Sequence, residues 1–240
     1  MTLRSTISTA EGKRRYVRRL FATIADRYDF ITGFLSYGQD RRWKRRLIEL
    51  AAAGPTDRVL DLACGTGDLL FAAAQTARSA IGLDITHRML ELARRRHIAG
   101  GRGRPALVTG DMLALPFHNA SFDVVTTGYG LRNVPDLYVA LEEIHRVLAP
   151  GGRFLSLDFN RPTQPAVRAM YLVYLTIVGS ALGVILHGDP NTYRYIPESL
   201  RLYPGSAGVS RLMKEAGFVD VQVVPLLGGL MAIHSARIRD

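Results

Sequence analysis

The pattern of apolar and polar positions changes character along the chain. In Gly12–Phe30, Val17, Leu20, Phe21, Ile24 and Tyr28 recur at helical spacing while Lys and Arg crowd the other positions, which predicts an amphipathic helix. A second helix is predicted from Asp40, as N-cap, through Trp43, Leu47 and Leu50. From Asp57 onward the period shortens. RVLDLA (58–63), SAIGLD (79–84), PALVTG (105–110), FDVVTT (122–127) and GRFLSLDF (152–159) are short apolar runs punctuated by Gly and Asp. They read as buried strands. Helical patterns over Leu69–Ala77, His87–Ile98 and Leu137–Leu148 alternate with them. Such alternation predicts a parallel sheet with helices on both faces. FVDVQVVPL (218–226) and GLMAIHSARI (229–238) are too close for a parallel crossover, so one of them is expected to run antiparallel.

Between the last predicted parallel strand and this hairpin lies AMYLVYLTIVGSALGVIL, residues 169–186, without a charge. It reaches the lower length limit for a membrane span. A span would prevent the hairpin from rejoining the sheet, and Gly179, Ser180 and Gly183 interrupt the run. A helix over the active edge of the sheet is the better reading: core helix, lining of an apolar channel, or both.

Charge adds a second constraint. The 240 residues carry 31 Lys+Arg against 21 Asp+Glu, a formal net charge of +10. This favours anionic partners such as phosphates, nucleic acid or anionic lipid. The one cysteine, Cys64, cannot form an internal disulfide, which points to a reducing, cytoplasmic compartment. The first residues lack the apolar core of a secretory signal.

The candidate chemistry begins at ACGTGDLL (63–70), a loop between a strand and a helix. Gly65 and Gly67 allow a tight turn and close approach of a ligand. A dinucleotide fingerprint would place Gly at position 70, which is Leu. Asp84 ends the second strand, where a carboxylate suits ribose hydroxyls. Asp111 and Met112 follow the third strand and suit the amino group and face of an adenine. Each acid alone could equally cap a turn. Asp61, Asp84 and Asp111 together with the glycine loop favour a nucleoside ligand without a pyrophosphate.

LDLACGTGDLL, GLD, GDMLALPF, SFDVV and HRVLAPGGRFLSLDF resemble the S-adenosyl-L-methionine-dependent methyltransferases of class I. That resemblance implies an α/β, Rossmann-like seven-stranded sheet with its last strand antiparallel. A narrower set of motifs is similar to the ubiquinone/menaquinone biosynthesis C-methyltransferases. They are YDFITGFLSYGQDRRWKR (28–45), GYGLRNVPD (128–136), YRYIPESLRLYP (193–204) and GGLMAIHSARI (228–238). The GQ at 38–39 and the GYG at 128–130 resemble the branch that methylates a prenylated naphthoquinone, the demethylmenaquinone and demethylphylloquinone enzymes. The resemblance implies one domain over residues 1–240. Residues 1–54 would form a basic helical lid, 55–160 the cofactor core, 161–205 an apolar substrate-side insert, and 206–240 the last helix and hairpin.

The implied cofactor is S-adenosyl-L-methionine, held by Asp61, Gly65, Thr66, Gly67, Asp84, Asp111, Met112 and the backbone of Gly128. The implied reaction is methyl transfer to a ring carbon of a reduced prenylated quinone. An activated methyl donor leaves the protein mainly to align and dry the site. A proton acceptor, a water included, is expected beside a ring hydroxyl. Arg132 is a candidate to stabilise a phenolate, Asn133 to orient a hydroxyl or water, and Tyr28 to close over the site. Tyr193 and Tyr195 are substrate-binding candidates, with Arg194 beside them. The bland alternatives are a carboxylate partner for Arg132, a helix cap for Asn133, and plain packing for the tyrosines. Cys64 is read as a packing residue. The histidines at 87, 97, 118, 145, 187 and 234 show no metal-ligand spacing, so no metal is expected. His145 is read as structural. The remaining expectations are peripheral membrane contact through the basic N-terminal helix, a homodimer, and no nucleic-acid partner, for want of stacking aromatics interleaved with cations. Rival readings are the benzoquinol step of ubiquinone formation, a class I methyltransferase on RNA or another small molecule, and a cofactor-binding protein without turnover.

Overall fold

The computed structural model describes residues 3–98 and 105–240. Short apolar strands alternate with helices through the middle of the chain: β1 (Arg58–Leu62), α5 (Asp68–Ala73), β2 (Ser79–Asp84), α6 (His87–Ile98), β3 (Ala106–Thr109), β4 (Phe122–Gly128), α7 (Leu137–Val147) and β5 (Leu148–Phe159). Before them come α1 (Leu3–Ile7), α2 (Ala10–Ile24), α3 (Tyr28–Leu35) and α4 (Asp40–Ala51). After them come α8 (Pro165–His187), α9 (Asn191–Leu202), α10 (Gly205–Glu215), β6 (Val219–Leu226) and β7 (Met231–Arg237).

The seven strands form one sheet in the order β3-β2-β1-β4-β5-β7-β6. β1 through β5 pair in parallel, and β7 is antiparallel to both β5 and β6. The expected closing hairpin is therefore present. Its last strand inserts between β5 and β6, so β6 is an edge. One buried cluster on the sheet holds Leu60, Val125, Leu141, Ile144 and Phe154; another holds Leu47, Leu70, Val124, Leu155 and Ile233. A third cluster joins the N-terminal helices to α8 and α9 through Leu20, Ile24, Ile31, Leu182, Tyr193 and Tyr195.

Several local boundaries differ from the sequence reading. The first amphipathic helix does not run unbroken to Phe30: a 3-10 turn at Ala25–Arg27 separates α2 from α3. Thr9 caps α2, its hydroxyl accepting the Gly12 N–H at 3.2 Å. Asp40 is not a cap. Gln39 holds that position, after a turn in which Tyr37 (φ 53°) and Gly38 (φ 72°) are left-handed. The Asp40 carboxylate instead turns inward, where it has long-range partners.

α8 is long and apolar enough to cross a membrane, with mean hydropathy 2.1. The topology argues against a crossing: β5 before it and β7 after it are paired neighbours, and a single span would part them. Gly179 and Gly183 let α9 approach closely. A Cβ at Gly179 would stand 3.2 Å from the Tyr193 carbonyl oxygen, and one at Gly183 2.4 Å from that of Asp189.

Candidate active site

The parallel strands end on one edge of the sheet, and the loops there build two adjoining cavities. The first, about 710 Å³ counting its open mouth, is lined by Gly65, Asp84, Asp111, Met112, Gly128 and Asn133, among others. The second, about 1300 Å³ on the same measure, lies between α3, α8 and α9 and is strongly apolar. Arg132, Tyr171, Tyr193 and Tyr195 are on its wall. Phe21, Tyr28 and Tyr129 line both. These three aromatic side chains stand where the two cavities meet.

The glycine loop joins β1 to α5. Gly67 precedes α5 at φ 93°, a conformation L side chains rarely adopt, and a Cβ there would meet the Phe71 ring at 2.5 Å. Gly67→Ala is expected to cost about 1–3 kcal/mol of backbone strain. It should also weaken cofactor binding at least tenfold, an effect titration calorimetry would read directly. The Gly65 N–H and the Thr86 N–H each donate to the Asp84 carboxylate, at 2.9 and 2.8 Å. Burial pushes the Asp84 pKa up, and these donors pull it back. Thr66 is buried, and its hydroxyl donates to Asp29 of α3 at 2.7 Å, tying the loop to the helices above it.

Asp61 lies beneath the loop, fully buried. One carboxylate oxygen accepts the Thr126 hydroxyl at 2.8 Å; the other, Oδ2, has no partner among the described residues. Burial pushes its pKa up to about 7. A buried carboxylate oxygen with no donor calls for one. Asp61 also lines a small recess with Gly65, Thr66 and Gly128. These residues fit the ammonium end of an amino-acid-bearing nucleoside, with Asp84, Asp111 and Met112 along the rest of its length.

Asp111 accepts the Leu113 N–H at 2.9 Å and pairs with Arg14 of α2 at 2.6 Å. Lys13 donates to the Val134 carbonyl at 2.7 Å, and Arg88 of α6 pairs with Asp26 at 2.5 Å. Burial, then the nearby Arg132 charge, lowers the Lys13 pKa to about 8. Lys13 and Arg14, four and three positions before Val17 and so on the same face of α2, clasp that helix over the first cavity. Tyr28 lies at the Gly65 side of that cover: a Cβ on Gly65 would be 4.0 Å from its ring. Burial pushes its phenol up to about 12.

Arg132 is 5% exposed. Its partner is not a surface carboxylate but buried Asp158 at the end of β5, Nε to Oδ1 3.4 Å, and Nη1 also donates to Ser199 of α9. Its guanidinium carbon lies 4.8 Å from the Phe159 ring centre and 5.8 Å from that of Tyr195. Asn133 caps no helix, since Asp136 does that for α7. Its amide donates to the Tyr129 carbonyl at 2.7 Å and accepts the Tyr195 hydroxyl at 3.1 Å. Tyr193 and Tyr195 are both buried; the Tyr193 hydroxyl bonds His187 Nε2 at 2.9 Å.

Sequence reasoning missed a second buried network. Tyr129, held at φ 61°, donates its hydroxyl to Asp40 at 2.6 Å. Asp40 pairs with Lys44 at 2.7 Å, and Lys44 with Asp68 at 2.8 Å. Burial opposes the Lys44 charge, but the two carboxylates hold its pKa above the ordinary lysine value. Asp158 was missed too, although an acid ending an apolar strand is the signal that marked Asp61 and Asp84. Cys64 is buried. His145 packs edge-on to Phe218 at 5.3 Å, and buried His234 bonds the Ser206 carbonyl at 3.1 Å.

A glycine loop after β1, acids at successive strand ends and an antiparallel β7 define a class I methyltransferase that uses S-adenosyl-L-methionine. The chain belongs to the ubiE/COQ5 methyltransferase family, whose profile matches residues 9–237. It is 42% identical over 217 residues to a demethylmenaquinone methyltransferase of Thermus thermophilus, covering 90% of this chain and 98% of that protein. A demethylmenaquinone methyltransferase of Staphylococcus aureus is 34% identical over 227 residues, 93% of each chain. Among solved structures, an S-adenosylmethionine-dependent methyltransferase of Thermotoga maritima superposes with TM-score 0.66 at 19% identity, covering 92% of this chain and 99% of that one. Phosphoethanolamine N-methyltransferase 2 of Haemonchus contortus, solved with S-adenosylhomocysteine, gives TM-score 0.65 at 15% identity, with 93% and 60% covered. These two likenesses speak to the fold.

Proposed function

We propose that the protein methylates a ring carbon of a reduced prenylated naphthoquinone, demethylmenaquinol or a close analogue. The observation that carries this reading is the large apolar cavity joined to the cofactor cavity, with one buried cation, Arg132, on its wall. Such a cavity suits a long hydrocarbon tail with a single polar head. The names of the Thermus and Staphylococcus relatives support the same substrate.

In this reading Asp61, Gly65, Thr66, Gly67, Asp84, Asp111, Met112 and the Gly128 backbone hold the cofactor, which supplies an electrophilic methyl group. Tyr28 and Tyr129, which line both cavities, flank the passage through which that methyl group meets the ring. Arg132 faces a ring oxygen and stabilises negative charge as the hydroxyl loses its proton, which makes the ring carbon nucleophilic. As the carbon–carbon bond forms the carbon–sulfur bond would break and S-adenosylhomocysteine would leave; the ring carbon then loses its proton and the ring oxygen regains one, so the product is again a quinol and one proton is released per turnover. Asn133, fixed by two hydrogen bonds, keeps the Tyr195 side of the cavity in place. Tyr193 and Tyr195 pack against the substrate.

The substrate reaches this cavity from a membrane surface. Exposed Met170, Val173, Ile177, Val184 and Ile185 recur along one face of α8, and Phe30, Phe34 and Tyr37 are exposed nearby in the chain segment that lines the cavity. Exposed Arg15, Arg18 and Arg19 of α2 add attraction to anionic lipid. Sedimentation with anionic vesicles tests this contact; light scattering on the free protein tests the expected homodimer.

The deciding experiment incubates purified protein and labelled cofactor with a demethylated prenyl-naphthoquinol and, separately, a demethylated prenyl-benzoquinol. Transfer to the naphthoquinol alone is expected. Transfer to the benzoquinol alone would move the assignment to ubiquinone formation. Transfer to neither, with cofactor bound, would overturn the quinone reading.

A further inference from the structure

Arg132 is the charged side chain the apolar cavity presents to its ligand, and its donors are unevenly used. The side chain makes contact through Nε, 3.4 Å from Asp158 Oδ1, and through Nη1, which donates to Ser199 Oγ. Ser199 gives its own proton to the Ile196 carbonyl at 2.9 Å, so toward Arg132 it can act only as acceptor. Asp158 is fixed in turn. Its Oδ2 accepts the Arg132 N–H at 3.0 Å and its Oδ1 the Phe159 N–H at 2.8 Å. Nη2 has no protein partner among the described residues. Nε makes no hydrogen bond of its own among the described residues; because a guanidinium is planar and directs its donors in a rigid fork, the Nη1 hydrogen bond and the Asp158 carboxylate beside Nε together set where Nη2 points.

We propose that Asp158 and Ser199 are positioning residues that clamp Arg132 from the sheet and from the insert, leaving the Nη2 edge to recognise one oxygen of the quinol. The inference rests on the quinol reading of the cavity. It adds a division of labour. Asp158, on β5, neutralises the buried cation so that an uncharged quinol can enter an apolar space. Ser199, on α9, couples the orientation of Arg132 to the helix that also carries Tyr193 and Tyr195. Asp158 and Ser199 stand behind Arg132, off the cavity wall, so they touch substrate only through it.

The test compares the wild type with Ser199→Ala, Asp158→Asn and Asp158→Glu. It uses prenyl-naphthoquinol turnover and, separately, calorimetric binding of S-adenosylhomocysteine. Wild-type turnover comes first, since its absence would refute the quinol reading and not the clamp. Given turnover, Ser199→Ala should lower kcat about tenfold and Asp158→Asn about a hundredfold, the range expected for a misdirected catalytic group. Binding of S-adenosylhomocysteine should stay within twofold. Asp158→Glu should recover part of the loss. Unchanged kcat in Ser199→Ala would overturn the clamp, as would loss of turnover in strict proportion to loss of S-adenosylhomocysteine binding. If Asp158→Asn does not fold, Ser199→Ala decides, because it removes one hydrogen bond and no charge.

Discussion

Arg132→Ala is expected to lower kcat by about 10²–10³, the usual loss when one donor to a developing oxyanion is removed. The affinity for S-adenosyl-L-methionine should change little, because Arg132 lines the apolar cavity and not the cofactor cavity. The substitution also leaves Asp158 buried without its cation. Breaking a buried pair from one side costs about 3–5 kcal/mol, so the melting temperature should fall as well. Arg132→Lys separates the two effects. It keeps a positive charge for Asp158 but replaces the fork by a point ammonium, so stability should largely return while kcat stays low. A lysine variant with wild-type kcat would show that charge alone suffices. An alanine variant with wild-type kcat would remove Arg132 from the chemistry.

The second large effect concerns Asp61 and pH. Its folded pKa is about 7 against a usual 3.8. The folded state therefore holds a proton that the unfolded state releases between these values. Stability of the free protein should fall as pH rises from 4 to 7 and level off above, by about 4 kcal/mol from this group. Asp84 and Asp158, also raised by burial, act with the same sign. A cation beside Asp61 Oδ2 restores ionisation. Cofactor binding at pH 6 should then expel close to one proton, with affinity rising up to about tenfold per pH unit below 7. Calorimetry in two buffers of different ionisation enthalpy measures the proton count. Asp61→Asn should abolish it and flatten the pH dependence. A proton count of zero in the wild type would mean that Asp61 does not meet the cofactor's charge.

Much of the architecture was legible because its cause is local. Buried parallel strands must be apolar throughout, and they must end where a helix begins, so Val59–Leu62 or Ile81–Asp84 mark themselves. The glycine loop and Asp84 were legible for the same reason. The partners of the charged groups were not. Asp40 and Tyr129 are 89 positions apart, and Arg132 and Ser199 67 apart. Nothing local to either distinguishes a buried partner from a cap or a solvated charge. Lys13 and Arg14 stand four and three positions before Val17, on the stripe that α2 turns to the fold, yet their spacing does not name Val134 or Asp111 as partners. The break at Ala25–Arg27 has no Gly or Pro to announce it; it follows from packing α2 and α3 onto different parts of the site.

The place of β7 has a consequence for biosynthesis. β7 is synthesised after β6, yet it lies inside the sheet, and β6 joins the rest only through it. A nascent chain stalled after β6 would have nowhere to pair that strand and would leave the flank of β5 bare. The sheet is completed from the inside and late. A premature stop even a few codons before Met231 therefore removes two strands from the fold, not one, and gives the quality-control machinery an open β5 to find.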